Sequence, residues 1–352
     1  MRNYYLTATT TTMTKELDWS NLAFGYIPTD YNVRCRFADG KWGPIEVSQS
    51  EYIDMHIAAT CLHYGQEVFE GLKAFRGADG KIRVFRLEEN ARRIRQSAIG
   101  IKMEPVPEEI FAEMVKKVVK LNERFVPPYG SGASLYIRPI EIGMSAQIGV
   151  HPSSEYLFMI LVTPVGPYFK EGFRPTNICI MREFDRVAPK GTGRWKVGGN
   201  YAASMEAGEK AHELGYSAVL YLDPKEKKYI DECGPANFFA VKDGVYITPA
   251  SESILPSVTN NSLMTLAEDM GIKVERRHIP VEELAEIQEA AACGTAAVAS
   301  PVAEIHDLDL DVKYIVAKDG EPGPVTTSLY NRLRAIQLGE EPDTHGWNTI
   351  ID

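Results

Sequence analysis

The run Tyr156-Leu-Phe-Met-Ile-Leu-Val-Thr-Pro-Val-Gly-Pro-Tyr-Phe-Lys-Glu-Gly-Phe-Arg-Pro175 sets a strand-sized apolar segment directly against a stretch crowded with turn residues. Tyr156–Val162 is far shorter than the roughly 20 apolar residues that span a bilayer, and its continuous apolarity suits a central strand. Pro164, Gly166, Pro167, Gly172 and Pro175 then punctuate the chain too densely for a packed element. With 352 residues, 44% of them apolar, the chain is long enough for two domains or one large one. The expected division is a first unit over residues 1–165, a linker over 166–178 and a second unit over 179–352.

Upstream of that run, Val33 to Phe85 reads as short β-rich segments, with Asp79-Gly80 joining Leu72–Arg76 to Lys81–Phe85 as a hairpin. Two helices are predicted next. Leu87–Gly100 opens on Glu88, Glu89 and Asn90, and Glu108–Phe125 repeats Ile110, Met114, Val118, Leu121 and Phe125 at helical spacing, which lays one face on the sheet. Ser134–Pro139 is another strand. Downstream, the pattern gives a helix Ala202–Leu214 stopped by Gly215, then strands at Tyr216–Leu222, near Tyr229, at Asn237–Val241 and at Val245–Thr248. A helix Asn260–Met270 and a strand Ile272–Ile279 follow. The absence of a fixed-period repeat excludes solenoids and propellers.

Lys and Arg number 38 against 48 Asp and Glu, a net charge of −10 that repels nucleic acid and anionic membrane overall. An anionic ligand must therefore meet a local group of arginines. The five cysteines lie at least 26 positions apart, so a CxxC redox pair and a close-spaced zinc knuckle are both excluded. A reducing cytoplasm fits best. The Thr-rich stretch Thr7–Thr14 lacks the basic start and apolar centre of a secretory signal and reads as a frayed leader, with Met13 an alternative start.

Five features could carry chemistry. In Gly191-Thr-Gly-Arg-Trp-Lys196-Val-Gly-Gly-Asn-Tyr201 a single lysine stands among glycines, which let a flat ligand approach the backbone closely. A lysine so held loses hydration, and its neutral amine attacks carbonyl carbon, as in a Schiff-base lysine; the alternative is a solvated lysine in a Gly-rich loop. Glu232, in Asp231-Glu-Cys-Gly-Pro-Ala-Asn237, is either a buried carboxylate with a cationic partner or an ordinary turn acid. Ile254-Leu-Pro-Ser-Val-Thr-Asn260 enters a helix, where free N–H groups and the Thr259 hydroxyl either cup a phosphate or merely cap the helix. Cys293-Gly-Thr-Ala-Ala297 is a small-residue turn whose N–H groups could reach an anion, or a plain tight turn. The fifth feature is arginine: one of Arg92, Arg93 and Arg95 could point inward, and Arg138 interrupts an apolar strand, where it should meet a carboxylate such as Glu141. No histidine spacing suits a metal, and none is expected.

Taken in order over nearly the whole chain, these segments resemble the branched-chain amino acid aminotransferases, pyridoxal-phosphate enzymes of fold type IV. The resemblance rests on Tyr64-Gly-Gln-Glu-Val-Phe69-Glu-Gly-Leu-Lys-Ala-Phe-Arg76, Asn90-Ala-Arg-Arg93, Leu135-Tyr-Ile-Arg138-Pro, Lys196-Val-Gly-Gly-Asn-Tyr201, Glu232-Cys-Gly, Ile254-Leu-Pro and Gly294-Thr-Ala-Ala297. It implies an α/β (α+β) chain with a small N-terminal α/β domain and a larger, β-barrel-like C-terminal domain with helices that carries pyridoxal 5′-phosphate. Lys196 would be the cofactor lysine and catalytic base. Glu232 would pair with the ring nitrogen and Tyr201 with the ring hydroxyl. Arg93, Arg186, Leu255, Val258, Thr259 and Thr295 would complete the cofactor site. Phe24, Tyr64, Phe69 and Tyr168 would wall the substrate pocket, Thr295-Ala296 would take the α-carboxylate, and Arg138 with the hydroxyls of Tyr64 and Tyr136 would take the second carboxylate of glutamate.

The implied reaction moves the amino group between leucine, isoleucine or valine and 2-oxoglutarate in a homodimer. Two positions depart from the family. Gly234-Pro-Ala-Asn237 replaces a Gly-Thr-x-Asn run and so lacks a hydroxyl and an N–H at Pro235, while Ala297 and Ser300 stand where mammalian members carry a CxxC, so no thiol switch is expected. Two other reactions of the same fold type, D-amino acid transamination and aminodeoxychorismate lysis, compete with this reading. A non-catalytic phosphate-ligand binding protein is the alternative from another class; it would not need Lys196 and Glu232 together.

Overall fold

The computed structural model describes residues 17–166 and 173–352; the Thr-rich stretch with Met13, and Tyr168 in the linker, lie outside the described residues. The first sheet is antiparallel and runs in the order Asn348–Ile351, Ile82–Phe85, Leu72–Arg76, Ser134–Gly143, Tyr156–Val165, Asn32–Ala38 and Lys41–Trp42. Its centre is the long pair that sets Ser134 opposite Val165 and Gly143 opposite Tyr156. The apolar run expected to be central is central, and the hairpin at Asp79-Gly80 joins Leu72–Arg76 to Ile82–Phe85 as predicted.

The strand predicted to stop at Pro139 continues to Gly143. Its neighbours on one side, Glu67–Phe69 and Leu72–Arg76, are interrupted at Glu70-Gly71, and Pro139 lies at that break with its carbonyl accepting from the Glu70 N–H. The N–H that proline lacks is therefore not needed there. One further departure concerns the chain's end: Asn348–Ile351 pairs with Ile82–Phe85, so this strand lies in the first sheet although it falls inside 179–352.

Two helices cover one face of this sheet. Leu87–Gly100 and Glu108–Leu121 bury Ile94, Ala98, Phe111, Met114, Val115 and Val118, and the Phe111 ring stacks on Phe158 at 5.8 Å. Each of the larger of these side chains, Ala98 aside, contributes about 1.5–3 kcal/mol by leaving water. The second helix ends four residues before the predicted Phe125 because the Asn122 carboxamide donates to the Val118 and Tyr31 carbonyls at 2.8 and 2.9 Å. A single tight turn, Glu123–Phe125, then carries Phe125 into the core.

The second sheet closes into a barrel. Its strands follow the order Leu220–Leu222, Ile230–Cys233, Ala236–Lys242, Glu289–Gly294 and Val298–Asp307, and Thr176–Ile180 pairs in parallel with the last of these. The ring is completed by the Cys179 N–H, which donates to the Ala218 carbonyl at 3.1 Å beside the Cys179–Val219 bridge. Helices Val258–Asp269 and Pro324–Leu338 pack on its outside. The predicted helix Ala202–Leu214 is two shorter ones, Gly198–Ala202 and Met205–Glu213, parted where the Ser204 hydroxyl bonds the Tyr201 carbonyl. A cavity of about 440 Å³ lies between the uncovered face of the first sheet and the barrel.

Candidate active site

The side-chain period of two decides which residues of Ser134–Gly143 reach this cavity. Leu135 and Ile137 enter the core under the helices, whereas Tyr136 and Arg138 line the cavity. Glu141 has the parity of Leu135 and is fully buried on the helix side, where the Val106 N–H donates to it at 3.3 Å and burial pushes its pKa up to about 8. It cannot be the partner of Arg138. Among the described residues Arg138 makes no ion pair; it donates to the Tyr136 hydroxyl at 3.0 Å and lies over the Phe69 ring at 4.9 Å. Phe24 meets Tyr136 edge to face at 5.3 Å, which completes an apolar wall with one cationic group in it.

Tyr64 does not join them. It ends the short helix Thr60–Tyr64, is 41% exposed, and bonds the Ile148 carbonyl away from this cavity. The hydroxyl beside Arg138 is that of Tyr136 alone, and Tyr168 lies outside the described residues.

The lysine loop braces itself. The Asn200 carboxamide donates to the carbonyls of Thr192 and Trp195, both at 2.9 Å, and accepts from the Thr192 hydroxyl at 2.6 Å. Lys196 is held through its backbone from two other elements: its N–H donates to Ser97 Oγ at 3.0 Å and its carbonyl accepts from the Phe69 N–H at 3.1 Å. Gly198 packs closely on Glu67: its N–H bonds that carboxylate, which an added Cβ would have to push aside. The Lys196 side chain enters the cavity, donates to Tyr201 Oη at 2.7 Å and lies 4.8 Å from the Phe69 ring centroid. Tyr201 thereby fixes where the amine points.

Glu232 is buried on the strand Ile230–Cys233, and both of its oxygens are engaged. Arg186 pairs with Oε2 at 2.7 Å and the Asn237 carboxamide donates to Oε1 at 2.6 Å. Burial raises its pKa, and the Arg186 guanidinium opposes that rise. Asn237 is itself fixed: it donates to the Leu255 carbonyl at 3.1 Å and accepts from Asn260, whose Oδ1 accepts from the Tyr246 hydroxyl at 2.6 Å. Proline at 235 therefore removes no support from this carboxylate, because the asparagine two positions on supplies it. Nothing in the sequence marks Asn237 for this role beyond its place in the run that contains Glu232.

At the anion end, Arg93 is the inward member of its cluster, while Arg92 and Arg95 are exposed. Its guanidinium forks onto the Glu70 carboxylate at 2.6 and 2.7 Å and donates to the Pro256 carbonyl at 2.9 Å. Glu70, buried and adjacent to Phe69 in a quoted motif, carries no sequence signal of this role beyond an acid among apolar residues. The helix begins at Val258, and Ser257 caps it by accepting the Asn260 N–H at 3.1 Å. Capping by Ser257 leaves the Val258 and Thr259 N–H groups without a partner inside their own helix, and both residues line the cavity with Thr295, so the helix start could also receive an anion.

An amine, a held carboxylate, a helix start with free N–H groups and an apolar wall with one arginine thus share one cavity, an arrangement suited to a transaminating enzyme. Residues 67–305 match the family described as amino-transferase class IV, and the chain belongs to it. It is 45% identical to the branched-chain-amino-acid aminotransferase of Haemophilus influenzae over 346 residues, 96% of this chain and 100% of that one. The fold matches a crystal structure of the Escherichia coli branched-chain amino acid aminotransferase with a TM-score of 0.76 at 28% identity, covering 92% of this chain and 100% of that one. It also matches the T.th. branched-chain amino acid aminotransferase complexed with N-(5′-phosphopyridoxyl)-L-glutamate, with a TM-score of 0.72 at 28% identity, covering 90% of this chain and 98% of that one.

Proposed function

We propose that this protein transfers the amino group between leucine, isoleucine or valine and 2-oxoglutarate, using pyridoxal 5′-phosphate in a ping-pong cycle. The observation that carries the reading is the placement of Lys196 and Glu232 in one cavity, with the helix start at Val258 and the Phe24–Phe69–Tyr136 wall in its lining. The donor set suits this cofactor: Lys196 for its aldehyde, Tyr201 for the ring hydroxyl, Glu232 for the ring nitrogen, and Val258, Thr259 and Thr295 for the phosphate. Arg186 acts on Glu232, and Leu255 lines the same cavity.

When bound, the cofactor supplies a carbonyl carbon that takes up the amino group and a ring that accepts the electrons released at the substrate Cα. Lys196 would hold the cofactor through its amine and would act as the base that takes up and gives back the proton of the substrate Cα. Glu232 keeps a proton on the ring nitrogen, so electron acceptance is favoured. Arg93, already neutralised by Glu70, orients the Pro256 carbonyl and hence the helix start. The aromatic wall excludes water from an aliphatic side chain, and the Thr295-Ala296 turn takes the α-carboxylate.

A coupled assay of the three amino acids with 2-oxoglutarate tests the reading, with turnover of all three expected. Turnover of D-amino acids alone would assign the competing reaction, and borohydride trapping that leaves Lys196 unlabelled would favour a binding protein. For glutamate, the Arg138 charge meets the second carboxylate, while an aliphatic substrate leaves it on Tyr136. Loss of a charge-assisted hydrogen bond costs about 1.5–3 kcal/mol, so Arg138→Met should weaken use of 2-oxoglutarate roughly tenfold to a hundredfold and leucine less. Equal losses in both half-reactions with a lower melting temperature would contradict the specificity role.

The division into a small unit over 1–165, a linker over 166–178 and a cofactor unit over 179–352 belongs to the same proposal, with Asn348–Ile351 returning to the small unit's sheet. So does a homodimer. Ile57, Leu62, Tyr64, Ile148 and Val150 form an exposed apolar group, Ile57 and Val150 each 84% exposed, which suits burial against a second copy. Sedimentation at assay concentration should show a dimer, and a fully active monomer would overturn this. A cytoplasmic location is supported by five unpaired cysteines; no helix among the described residues is long and apolar enough to cross a membrane.

A further inference from the structure

Thr248 is a buried hydroxyl on the strand Val245–Pro249 that the proposed chemistry does not use. A hydroxyl has one proton to give, and that of Thr248 goes to the Phe238 carbonyl at 2.8 Å. Its oxygen can therefore only accept. Asn260, third residue of the helix Val258–Asp269, meets that oxygen at 2.8 Å, so the end of its carboxamide at Thr248 must be the NH₂ group. The same group donates to Asn237 Oδ1 at 3.3 Å, and the Asn260 oxygen at the other end takes the Tyr246 hydroxyl at 2.6 Å.

This sense passes on to Glu232. Asn237, receiving at its oxygen, must present its NH₂ group to Glu232 Oε1 at 2.6 Å, and the Leu255 carbonyl at 3.1 Å demands the same orientation. Arg186 donates to Oε2 at 2.7 Å, so both oxygens meet donors. A proton on Oε1 would point at another proton. The constraint acts on a group that burial pushes up to about 7. Arg186, Lys196 and Arg93 favour its ionised form from three other segments, and Asp231 on its own strand opposes it. The Cys233 and Cys293 thiols beside it are kept neutral by burial.

We propose that Thr248 is a positioning residue for Glu232: through Asn260 and Asn237 it holds the carboxylate as an acceptor for the proton of the cofactor's ring nitrogen. This rests on the reading of Glu232 as the acid at that nitrogen. Without the Thr248 hydroxyl Asn260 can turn over, because the Tyr246 hydroxyl can accept as well as donate. Asn237 is then held by the Leu255 carbonyl alone, and Glu232 can take a proton of its own. The Asn260 N–H stays on Ser257 whichever way its carboxamide faces, so the helix start is undisturbed.

The test follows the nitrogen-15 resonance of the ring in enzyme loaded with labelled pyridoxal 5′-phosphate while the pH is raised. In Thr248→Val the midpoint for losing the ring proton should fall by about half a unit to one unit, the equivalent of one net hydrogen bond. Turnover of leucine should fall about threefold to tenfold in kcat, with KM and the dissociation constant of the cofactor unchanged. Thr248→Ser keeps the hydroxyl and should restore the wild-type midpoint. Tyr246→Phe leaves the Thr248 contact in place and should lower the melting temperature without moving the midpoint. Thr248→Ala makes the same deletion with a smaller side chain and serves if the valine variant does not fold. An unmoved midpoint in the valine or alanine variant, a shift that serine does not restore, or an equal shift in Tyr246→Phe would overturn the role of Thr248. An unmoved midpoint in Glu232→Gln would instead overturn the reading of Glu232 as the ring-nitrogen acid.

Discussion

Replacing Lys196 with alanine is expected to abolish transamination, with turnover down by about 10⁴ or more, since both a nucleophile and a general base are lost together. Lys196 is the one primary amine among the described residues lining the cavity, where the other cations are Arg93 and Arg138. Arginine stays protonated and serves as neither. The substitution leaves the loop intact, because its bracing runs through Asn200, Thr192 and the Lys196 backbone rather than through the ammonium. Stability should therefore change by no more than about 1 kcal/mol, as for other partly exposed positions. Single-turnover rates with leucine on cofactor-loaded protein, together with a thermal melt, check both parts. A variant retaining a tenth of wild-type turnover would remove Lys196 from the centre of the mechanism.

Glu232→Gln should have the next largest effect. The carboxylate accepts from Arg186 on one oxygen and from Asn237 on the other. A carboxamide has only one acceptor oxygen, so its NH₂ group must face either the guanidinium or the Asn237 amide. Turning Asn237 over does not help, since its NH₂ group also serves the Leu255 carbonyl and its oxygen accepts from Asn260. One buried donor–donor contact is thus unavoidable, and the Arg186 charge is left without its counterion. Breaking a buried pair costs about 3–5 kcal/mol, which should lower the melting temperature markedly. Turnover should fall on the order of 10²–10³, the usual cost of removing one electrostatic stabiliser, while cofactor still binds through Lys196 and the helix start. An unchanged rate constant would mean that another acid protonates the ring. Asp231 is the nearest by sequence, but it occupies the alternate position on the same strand.

These two residues show what can be read from sequence and what cannot. Lys196 stood out locally because glycines and a tryptophan surround it, and the ordered motifs placed it in a family. Its partner Tyr201 is only five positions away. Glu232 was equally visible, but the polar chain that holds it was not: Arg186, Asn237, Asn260 and Tyr246 come from four separate elements. Arg93 illustrates the same limit. Helical spacing allowed one arginine of the cluster to point inward, yet its acid, Glu70, lies 23 positions upstream at the break between two strands.

The sequence by itself determined the helix Leu87–Gly100, a second helix beginning at Glu108, the central strand beginning at Tyr156, the hairpin at Asp79-Gly80 and the family to which the chain belongs. Each of these is written in residues a few positions apart, where side-chain period, turn geometry and motif order act directly. Only the tertiary structure decided that Tyr136 and not Tyr64 stands beside Arg138, and that Glu141 faces away from it. It alone brought the last strand to the first sheet, closed the barrel at Cys179 and put Lys73 on the Ala296 carbonyl, 223 positions away. The reason is physical: a hydrogen bond between distant residues leaves no periodicity in either segment, and its geometry exists only once two independently encoded faces have packed.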